Sequence, residues 1–270
     1  MAEPIPRADA PVERLDSARH AYEELRARVL SGALPPDTVF SQVQLATEIG
    51  VSRTPLREAI RRLQSEGLLQ SERNRRVRVS PLSTSDFEDL YAMRITLDSL
   101  AVRISVPHLS DEDVDGVRAA FGAMTDAISR LDMTAYHEPH RSFHFGLIAH
   151  AGGRLIARAA DLWDHAERYR HVYQLHAAEG AQLIELANED HAALLAAGKR
   201  RDGDACATAM AAHLARTALM AMYRVDHRHD PAKIRAALDL VGGDEVAPLL
   251  PPAPADPEGD DAPVPGYRRD

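Results

Sequence analysis

The segment from Leu45 to Leu69 constrains the fold more than any other part of this chain. Its sequence is LATEIGVSRTPLREAIRRLQSEGLL. Gly50 follows an apolar helical pattern at a place where a residue in the left-handed conformation can end a helix. Ser52 or Thr54 can cap a following helix, and Pro55 suits its first turn. The pattern therefore predicts two helices joined by a tight turn.

The second of these helices has two different faces. Apolar residues recur at helical spacing on one face, and Arg53, Arg57 and Arg61 share another. A helix that enters the DNA major groove by its N-terminal end needs donors there, and arginine can bind guanine O6 and N7 or clamp phosphates. Arg53 and Arg57 are best placed for this. The alternative is a solvated arginine face on an ordinary surface helix.

The residues after Gly67 change to a period of two. Valine and arginine alternate from position 76 to position 79, after a polar turn that contains Arg73, Asn74 and Arg75. Asparagine tolerates positive φ, and the two arginines suit a minor groove or phosphates. We therefore predict a basic β-hairpin wing, and with it a winged helix-turn-helix that binds double-stranded DNA.

Charge is distributed unevenly along the 270 residues. The whole chain has a net charge of −9, whereas residues 14–80 hold 12 Arg and 8 acidic residues, for a net charge of +4, and the remainder carries −13. Phosphate would repel the acidic part and attract the basic part. The distribution indicates a DNA-binding module joined to a body with a different task.

Cysteine content and hydropathy indicate the cellular compartment in which the protein works. The single Cys206 excludes an internal disulfide. No apolar run reaches the roughly 18 residues that a membrane helix needs, and the N-terminus lacks a signal-peptide pattern. We expect a cytoplasmic protein that has no membrane partner.

The region from residue 83 to about 240 is rich in alanine and leucine with helical periodicity, broken at proline and glycine. It predicts an antiparallel bundle of six or seven helices, able to hold a ligand between them. The expected fold is therefore mostly α, with an N-terminal winged helix-turn-helix. The predicted divisions are a disordered 1–12, a DNA-binding domain 13–81, a helical domain 82–242 and a disordered proline- and acid-rich tail 243–270.

Histidines are the unusual content of the predicted bundle. His140 and His144 stand four residues apart and would project from one helix face, where they could share a metal ion. His191 and His213 lie on later helices. Spacing alone leaves the alternative open that these are core or surface histidines bonded to carbonyl groups or water.

Residues 31–79, SGALPPDTVFSQVQLATEIGVSRTPLREAIRRLQSEGLLQSERNRRVRV, resemble the DNA-binding domain of the GntR family of bacterial transcription regulators. The resemblance implies DNA contacts from Arg53, Arg57 and Arg73, with Thr54 as a phosphate ligand. Arg61 and Arg75 join this set from the helix and wing patterns.

Three positions depart from the family pattern. Asp37 stands where the loop usually has glycine, and Asn74 replaces the usual glycine of the wing. Val43 occupies a position at which several relatives have a DNA-contacting arginine or glutamate. These departures leave the turn geometry of the loop and the full set of DNA contacts open.

The helical region resembles the FCD domain, the effector domain of the FadR-like branch of that family. Its D-x-x-F-H pattern corresponds to residues 140–144, with His140 in place of the aspartate. The resemblance implies a divalent metal ion bound by His140, His144, His191 and His213. Four imidazoles favour zinc or nickel over magnesium or calcium. Loss of the aspartate could equally weaken or abolish the site.

Arg94 matches an arginine of the family pattern R-x-x-L-E, and Asp98 replaces the glutamate. The resemblance implies that Arg94 receives the carboxylate of a small organic acid. The alternative is a pair on the helix surface, which residues at i and i+4 commonly form.

Together these patterns predict a homodimeric transcription regulator that binds a palindromic operator and is controlled by a small organic acid. A repressor released by its ligand is the expected behaviour. Two alternatives are a metal-dependent enzyme built on the bundle and an interaction module without a metal.

Overall fold

A computed structural model describes residues 10–175, 180–226, 228–246 and 267–268, without the side chains at 10–15, 75, 170–187, 224–225, 243–246 and 267–268. The chain forms two compact units. The first comprises Met1–Ser83 and Ala262–Arg268, and the second comprises Thr84–Asp261 and Arg269–Asp270.

The first unit is a winged helix-turn-helix, as predicted. Its elements are α1 (Ala10–Leu30), β1 (Val39–Ser41), α2 (Gln42–Ile49), α3 (Arg53–Ser65), β2 (Leu69–Glu72), β3 (Arg76–Val79) and β4 (Leu82–Ser83). The strands β1, β3 and β2 form an antiparallel sheet in that order, and residues 73–75 make one 3-10 turn between β2 and β3. One apolar core holds the helices and the sheet together, and Leu25, Leu45, Leu56 and Leu63 are almost fully buried in it.

The turn between α2 and α3 confirms that Gly50 ends α2, but it does not show the predicted side-chain cap of α3. Gly50 has φ 77° and ψ 28°, and its N–H donates to the carbonyl oxygen of Ala46 at 3.0 Å. Ser52 is the N-cap residue of α3, but its hydroxyl makes no capping hydrogen bond. Thr54 lies inside the helix, so the prediction that Ser52 or Thr54 caps through its side chain is wrong.

The second unit is entirely helical within the described residues. Its helices are α4 (Thr84–Ser105), α5 (Asp111–Ser129), α6 (Met133–Leu147), α7 (Gly153–Leu175), α8 (Gly180–Arg200), α9 (Gly203–Val225) and α10 (Ala232–Val246). None of the helices that the structure describes is long and apolar enough to cross a membrane.

Helix α4 packs against α7, α9 and α10 in the second unit. Most of its length is buried, and Tyr91, Ile95 and Val102 contribute to the core. Helices α6, α8 and α9, which carry the histidines, are linked through α5 and through the α8–α9 contact. The bundle therefore brings histidines that are far apart in sequence onto neighbouring helices.

The chain ends differ from the predicted disorder at three places. Helix α1 begins at Ala10, helix α10 continues to Val246, and Tyr267–Arg268 forms strand β5, which pairs in parallel with β4. The prediction of disorder rests on composition, which shows how little apolar surface these segments can bury. A helix can extend and a short strand can pair through backbone hydrogen bonds, which do not depend on that surface. The rest of 1–12 and of 243–270 lies outside the described residues.

Two glycines give a matched test of the packing at the start of α9. A Cβ on Gly203 would lie 2.6 Å from the carbonyl oxygen of Arg103, whereas a Cβ on Gly122 in α5 would meet nothing within 4 Å. We expect Gly203→Ala to lower the free energy of unfolding by about 1–3 kcal/mol because backbone must move. Gly122→Ala should raise it by about 0.5–1 kcal/mol through helix propensity. Urea unfolding measures both, and an unchanged stability of Gly203→Ala would contradict this packing.

Candidate DNA-binding surface and histidine cluster

Helix α3 presents its arginine face to solvent. Arg53, Thr54, Arg57 and Arg61 are exposed, while the apolar residues of the same helix are buried in the core of the first unit. One helix therefore packs on one side and offers donors on the other. Because no acidic residue stands in its first turn, the positive end of the helix dipole adds to the charge of Arg53.

The exposed arginines of α3 differ from the other arginines of this unit in their partners. Among the described residues, Arg53, Arg57 and Arg61 form no ion pair. By contrast, Arg62 Nε lies 3.2 Å from Glu66 Oε1, and its guanidinium lies 3.6 Å from the ring centre of Tyr22. Like charges four residues apart on a helix repel each other. An anionic ligand such as a DNA backbone would relieve that repulsion and satisfy the unused donors.

The wing confirms the predicted role of Asn74. It has φ 59° and ψ 39°, in the left-handed region that asparagine tolerates better than most side chains. Arg73 on the same turn is exposed, and the side chain of Arg75 lies outside the described part of the structure.

Arg78 joins the base of the wing to the loop before β1. Its Nε lies 2.6 Å from Glu72 Oε1, and its Nη1 lies 2.8 Å from Asp37 Oδ1. The hydrogen bond from Arg78 lowers the pKa of Glu72. Asp37 has φ 62°, so it keeps the left-handed conformation expected of glycine at this position. The replacement of glycine therefore preserves the turn and adds a carboxylate that holds Arg78.

Val43, at the start of α2, replaces the arginine or glutamate that several relatives have at this position. Its side chain is 51 % exposed, so an apolar group faces solvent where an ionic group was expected. Ser41 caps this helix by accepting the N–H of Val43 at 3.3 Å. The helix start is thus intact without a charged side chain at this position.

The four predicted histidines come together inside the second unit. His140 and His144 belong to α6, His191 to α8 and His213 to α9, and each is at most 5 % exposed. Each offers a ring nitrogen, and these four nitrogens lie within 4.8 Å of one another. Nε2 of His144 lies 3.1 Å from Nε2 of His191. We call these four residues the histidine cluster.

The geometry of the histidine cluster fits a divalent metal ion. Nitrogen ligands of a tetrahedral zinc ion, each about 2.0–2.1 Å from the metal, lie about 3.3 Å apart. The nitrogens of the cluster lie within 4.8 Å of one another, so the widest pair needs to approach by about 1.5 Å to reach that spacing. Four neutral imidazoles suit a borderline ion such as zinc or nickel. The donor set and the burial are therefore those of a closed site.

Asp190 supports this cluster and was not identified from the sequence as a positioning group. Its Oδ2 lies 3.4 Å from Nδ1 of His213, and its other oxygen pairs with Arg216. A carboxylate beside the second ring nitrogen fixes the orientation of a metal-binding histidine. Position 190 directly precedes His191, but its contact with His213 depends on how α8 and α9 pack.

Aromatic rings enclose the histidine cluster. The ring of Trp163 on α7 lies 5.0 Å from that of His140 and 5.1 Å from that of His144. Tyr136 stacks on His140, with ring centres 4.9 Å apart. The spacing of Tyr136, four residues before His140 on one helix, could have indicated this contact. No local pattern could have indicated Trp163, because it comes from a separate helix.

Arg94 is buried, so the alternative of a pair on the helix surface is wrong. It is 1 % exposed, and its Nε and Nη2 lie 3.3 and 3.2 Å from the same oxygen, Oδ2 of Asp98. Its guanidinium carbon lies 5.2 Å from the ring centre of Trp163, which also contacts the histidine cluster. Burial raises the pKa of Asp98, and Arg94 opposes that effect. A buried cation therefore lies one aromatic ring away from the cluster.

An enzyme built on this bundle would need a general base beside the cluster, and the three carboxylates that lie close to the histidines in sequence, Glu138, Glu189 and Asp190, do not provide one. Glu138 and Glu189 are exposed, whereas the histidines are buried. Asp190 is engaged by Arg216 and His213. These positions give no carboxylate poised to take a proton from a metal-bound water.

Comparison with known families identifies both units. Residues 17–79 match the model described as bacterial regulatory proteins, gntR family, and residues 89–216 match the FCD domain. These two ranges contain the helix-turn-helix with its wing and all four members of the histidine cluster.

Individual relatives agree with these matches. A regulator of Agrobacterium vitis from the TAR-I ttuE-ttuC' intergenic region is 31% identical over 133 residues, covering 48% of this chain and 77% of the relative. The HTH-type transcriptional repressor GlaR of Escherichia coli strain K12 is 24% identical over 199 residues, covering 72% and 90%. The solved structure of E. coli McbR/YncC shares the fold, with a TM-score of 0.66 at 24% identity, covering 77% of this chain and 97% of that one.

Proposed function

This chain belongs to the GntR family of bacterial regulatory proteins and is a DNA-binding transcription regulator, and from this premise we propose that a small organic acid controls its binding to DNA. Its domains and relatives are those of regulators, not of enzymes. The observation that carries the proposal is the pairing of an unneutralised arginine face in one unit with a buried Arg94 beside four histidines in the other.

The DNA contacts assigned to the first unit are those of α3 and the wing. We assign base and phosphate contacts to Arg53, Arg57 and Arg61, and a phosphate contact to Thr54. Arg73 and Arg75 contact the minor groove or the backbone beside it. Support comes from the exposure of the described side chains and from the absence of ion pairs at the α3 arginines within the described chain.

The effector site assigned to the second unit combines Arg94 with the histidine cluster. His140, His144, His191 and His213 would hold the metal, zinc or nickel, with Asp190 orienting His213. A divalent ion there supplies positive charge that attracts an anionic ligand. Arg94 offers unused donors to a carboxylate, and the surrounding rings of Trp163 and Tyr91 exclude water from the contact.

We propose a cytoplasmic repressor that the acid releases from its operator. The relative GlaR is a repressor by name. An acid that binds one arrangement of the dimer better than another would shift the population toward that arrangement. At saturating acid the affinity for DNA then falls by at most the ratio of the two affinities for the acid.

We further propose that the regulator is a homodimer that pairs through α4 and binds a palindromic operator. Met93, Leu100 and Ile104 are 47%, 44% and 42% exposed, and Leu97 between them is partly buried. Their spacing of four, three and four residues is that of a coiled-coil seam, which a second copy of the same helix can fill. A twofold pair presents two recognition helices to two matching half-sites.

The first prediction concerns DNA affinity. Arg53→Ala and Arg57→Ala should each weaken binding to a duplex selected from a random pool by the wild-type chain, by about tenfold or more. They should also reduce the dependence of affinity on salt, since fewer counterions are released. Fluorescence anisotropy at several salt concentrations measures both effects.

The control for this experiment is Arg118→Ala on α5. It removes the same charge from an exposed arginine, but that arginine already pairs with Asp115 at 2.6 Å. It should leave affinity and salt dependence unchanged. Wild-type affinity in both α3 variants would contradict the assignment of the DNA surface.

The second prediction concerns metal. The purified full chain should contain a stoichiometric divalent ion by elemental analysis and should melt at a lower temperature after chelation, because bound metal stabilises the folded state. His144→Ala should lose the ion, while His20→Ala, an exposed histidine on α1, should keep it. No metal in the wild type and no thermal shift on adding zinc or nickel would contradict this site.

The third prediction concerns assembly. Light scattering should give the full chain about twice its mass of 29.6 kDa, and Leu100→Glu should give a monomer. Leu131→Glu is the matched control, since Leu131 is also exposed but lies between α5 and α6, away from the seam. A dimer that survives Leu100→Glu would show that α4 is not the interface.

A further inference from the structure

The buried pair of Arg94 and Asp98 leaves one carboxylate oxygen and one guanidinium nitrogen without a hydrogen bond within the described chain. Both contacting nitrogens of Arg94, Nε and Nη2, approach the same oxygen of Asp98, Oδ2. The other oxygen, Oδ1, is buried and has no hydrogen-bond partner among the described residues. Nη1 of Arg94 likewise makes no bond to any residue that the structure describes.

The unused groups of this hydrogen-bonded pair are therefore one donor group, Nη1 of Arg94, and one acceptor, Oδ1 of Asp98. A buried carboxylate oxygen without a partner costs free energy, so the fold retains it only where something else compensates. Asp98 is one methylene shorter than the glutamate of the family pattern, and its carboxylate therefore does not reach the guanidinium with both oxygens. The shorter side chain leaves Oδ1 available to a ligand.

This acceptor belongs to the region already assigned to the effector. Arg94 contacts the ring of Trp163, and that ring contacts His140 and His144. Arg94 and Asp98 are hydrogen-bonded to each other. An acid whose carboxylate binds Arg94 would therefore have the atoms next to that carboxylate within reach of Asp98.

We propose that Asp98 Oδ1 accepts a hydrogen bond from a hydroxyl or ammonium group next to the carboxylate of the effector, so that the effector is an α-hydroxy or α-amino acid. The inference rests on the proposed function, since it requires that Arg94 binds the carboxylate. A donor from the ligand adds to Arg94 in favouring the ionised form of Asp98, against the effect of burial on its pKa.

The test compares matched acids that differ only in the donor. Calorimetry on the full chain as purified measures acetate against glycolate, propionate against lactate, and propionate against alanine. The wild type should bind glycolate and lactate, or alanine, at least about tenfold more tightly than the acid without the donor. The lactate and alanine arms distinguish a hydroxyl from an ammonium group.

Two variants place the preference on Asp98. Asp98→Asn removes the charge of the acceptor and frees Arg94, so the preference should fall to less than about threefold while propionate binds as well as before or better. Asp98→Glu keeps the charge but allows both oxygens to reach Arg94, and it should lose the preference too. Melting curves establish that both variants are folded.

The outcomes separate this inference from the proposed function. Equal binding within each pair by the wild type overturns the inference and leaves the carboxylate site standing. A preference that persists in both variants also overturns it, because chelation by a metal ion would then explain the preference. Failure of every acid to bind the wild type overturns the effector site as well.

Discussion

The structure of the helical unit depends on burying polar groups that are costly to bury alone. Four imidazoles from α6, α8 and α9 share one small volume, and an arginine at 1 % exposure lies one aromatic ring away. Such groups are tolerated in a core only when partners satisfy them. Asp190 and Asp98 provide part of that satisfaction, and a metal ion and an acid would provide the rest. The same groups that limit the stability of the bundle therefore make it a binding site.

The two units differ in where they place the charged groups assigned to ligand binding. In the winged unit, ion pairs such as those of Arg78 with Asp37 and Glu72 hold the wing, while the arginines on the outer face of α3 are left unneutralised. In the helical unit, Arg94 and the histidine cluster are buried, and the ring of Trp163 lies against both. The residues outside 14–80 carry a net charge of −13, so phosphate repels that part of the chain and attracts the winged unit.

Much of the fold could be predicted because local signals mark its helix ends. Gly50 ends α2 in the left-handed conformation, as its place after an apolar helical pattern predicts. Spacing also placed His140 and His144 on one face. The burial of Arg94 could not be predicted, because a pair at i and i+4 has the same spacing on a surface as in a core. Trp163 and the contact of Asp190 with His213 depend on which helices pack together, which no local pattern specifies.

The central claim is that a ligand bound by the helical unit changes the affinity of the winged unit for DNA. It is tested most directly by titrating the selected duplex with the metal-loaded full chain, with and without saturating amounts of an acid that calorimetry shows to bind. A coupling free energy of about 1–3 kcal/mol predicts a loss of DNA affinity of about 5- to 150-fold, and linkage requires DNA to weaken acid binding by the same factor. An acid that saturates the helical unit and leaves the affinity for DNA unchanged would contradict the account.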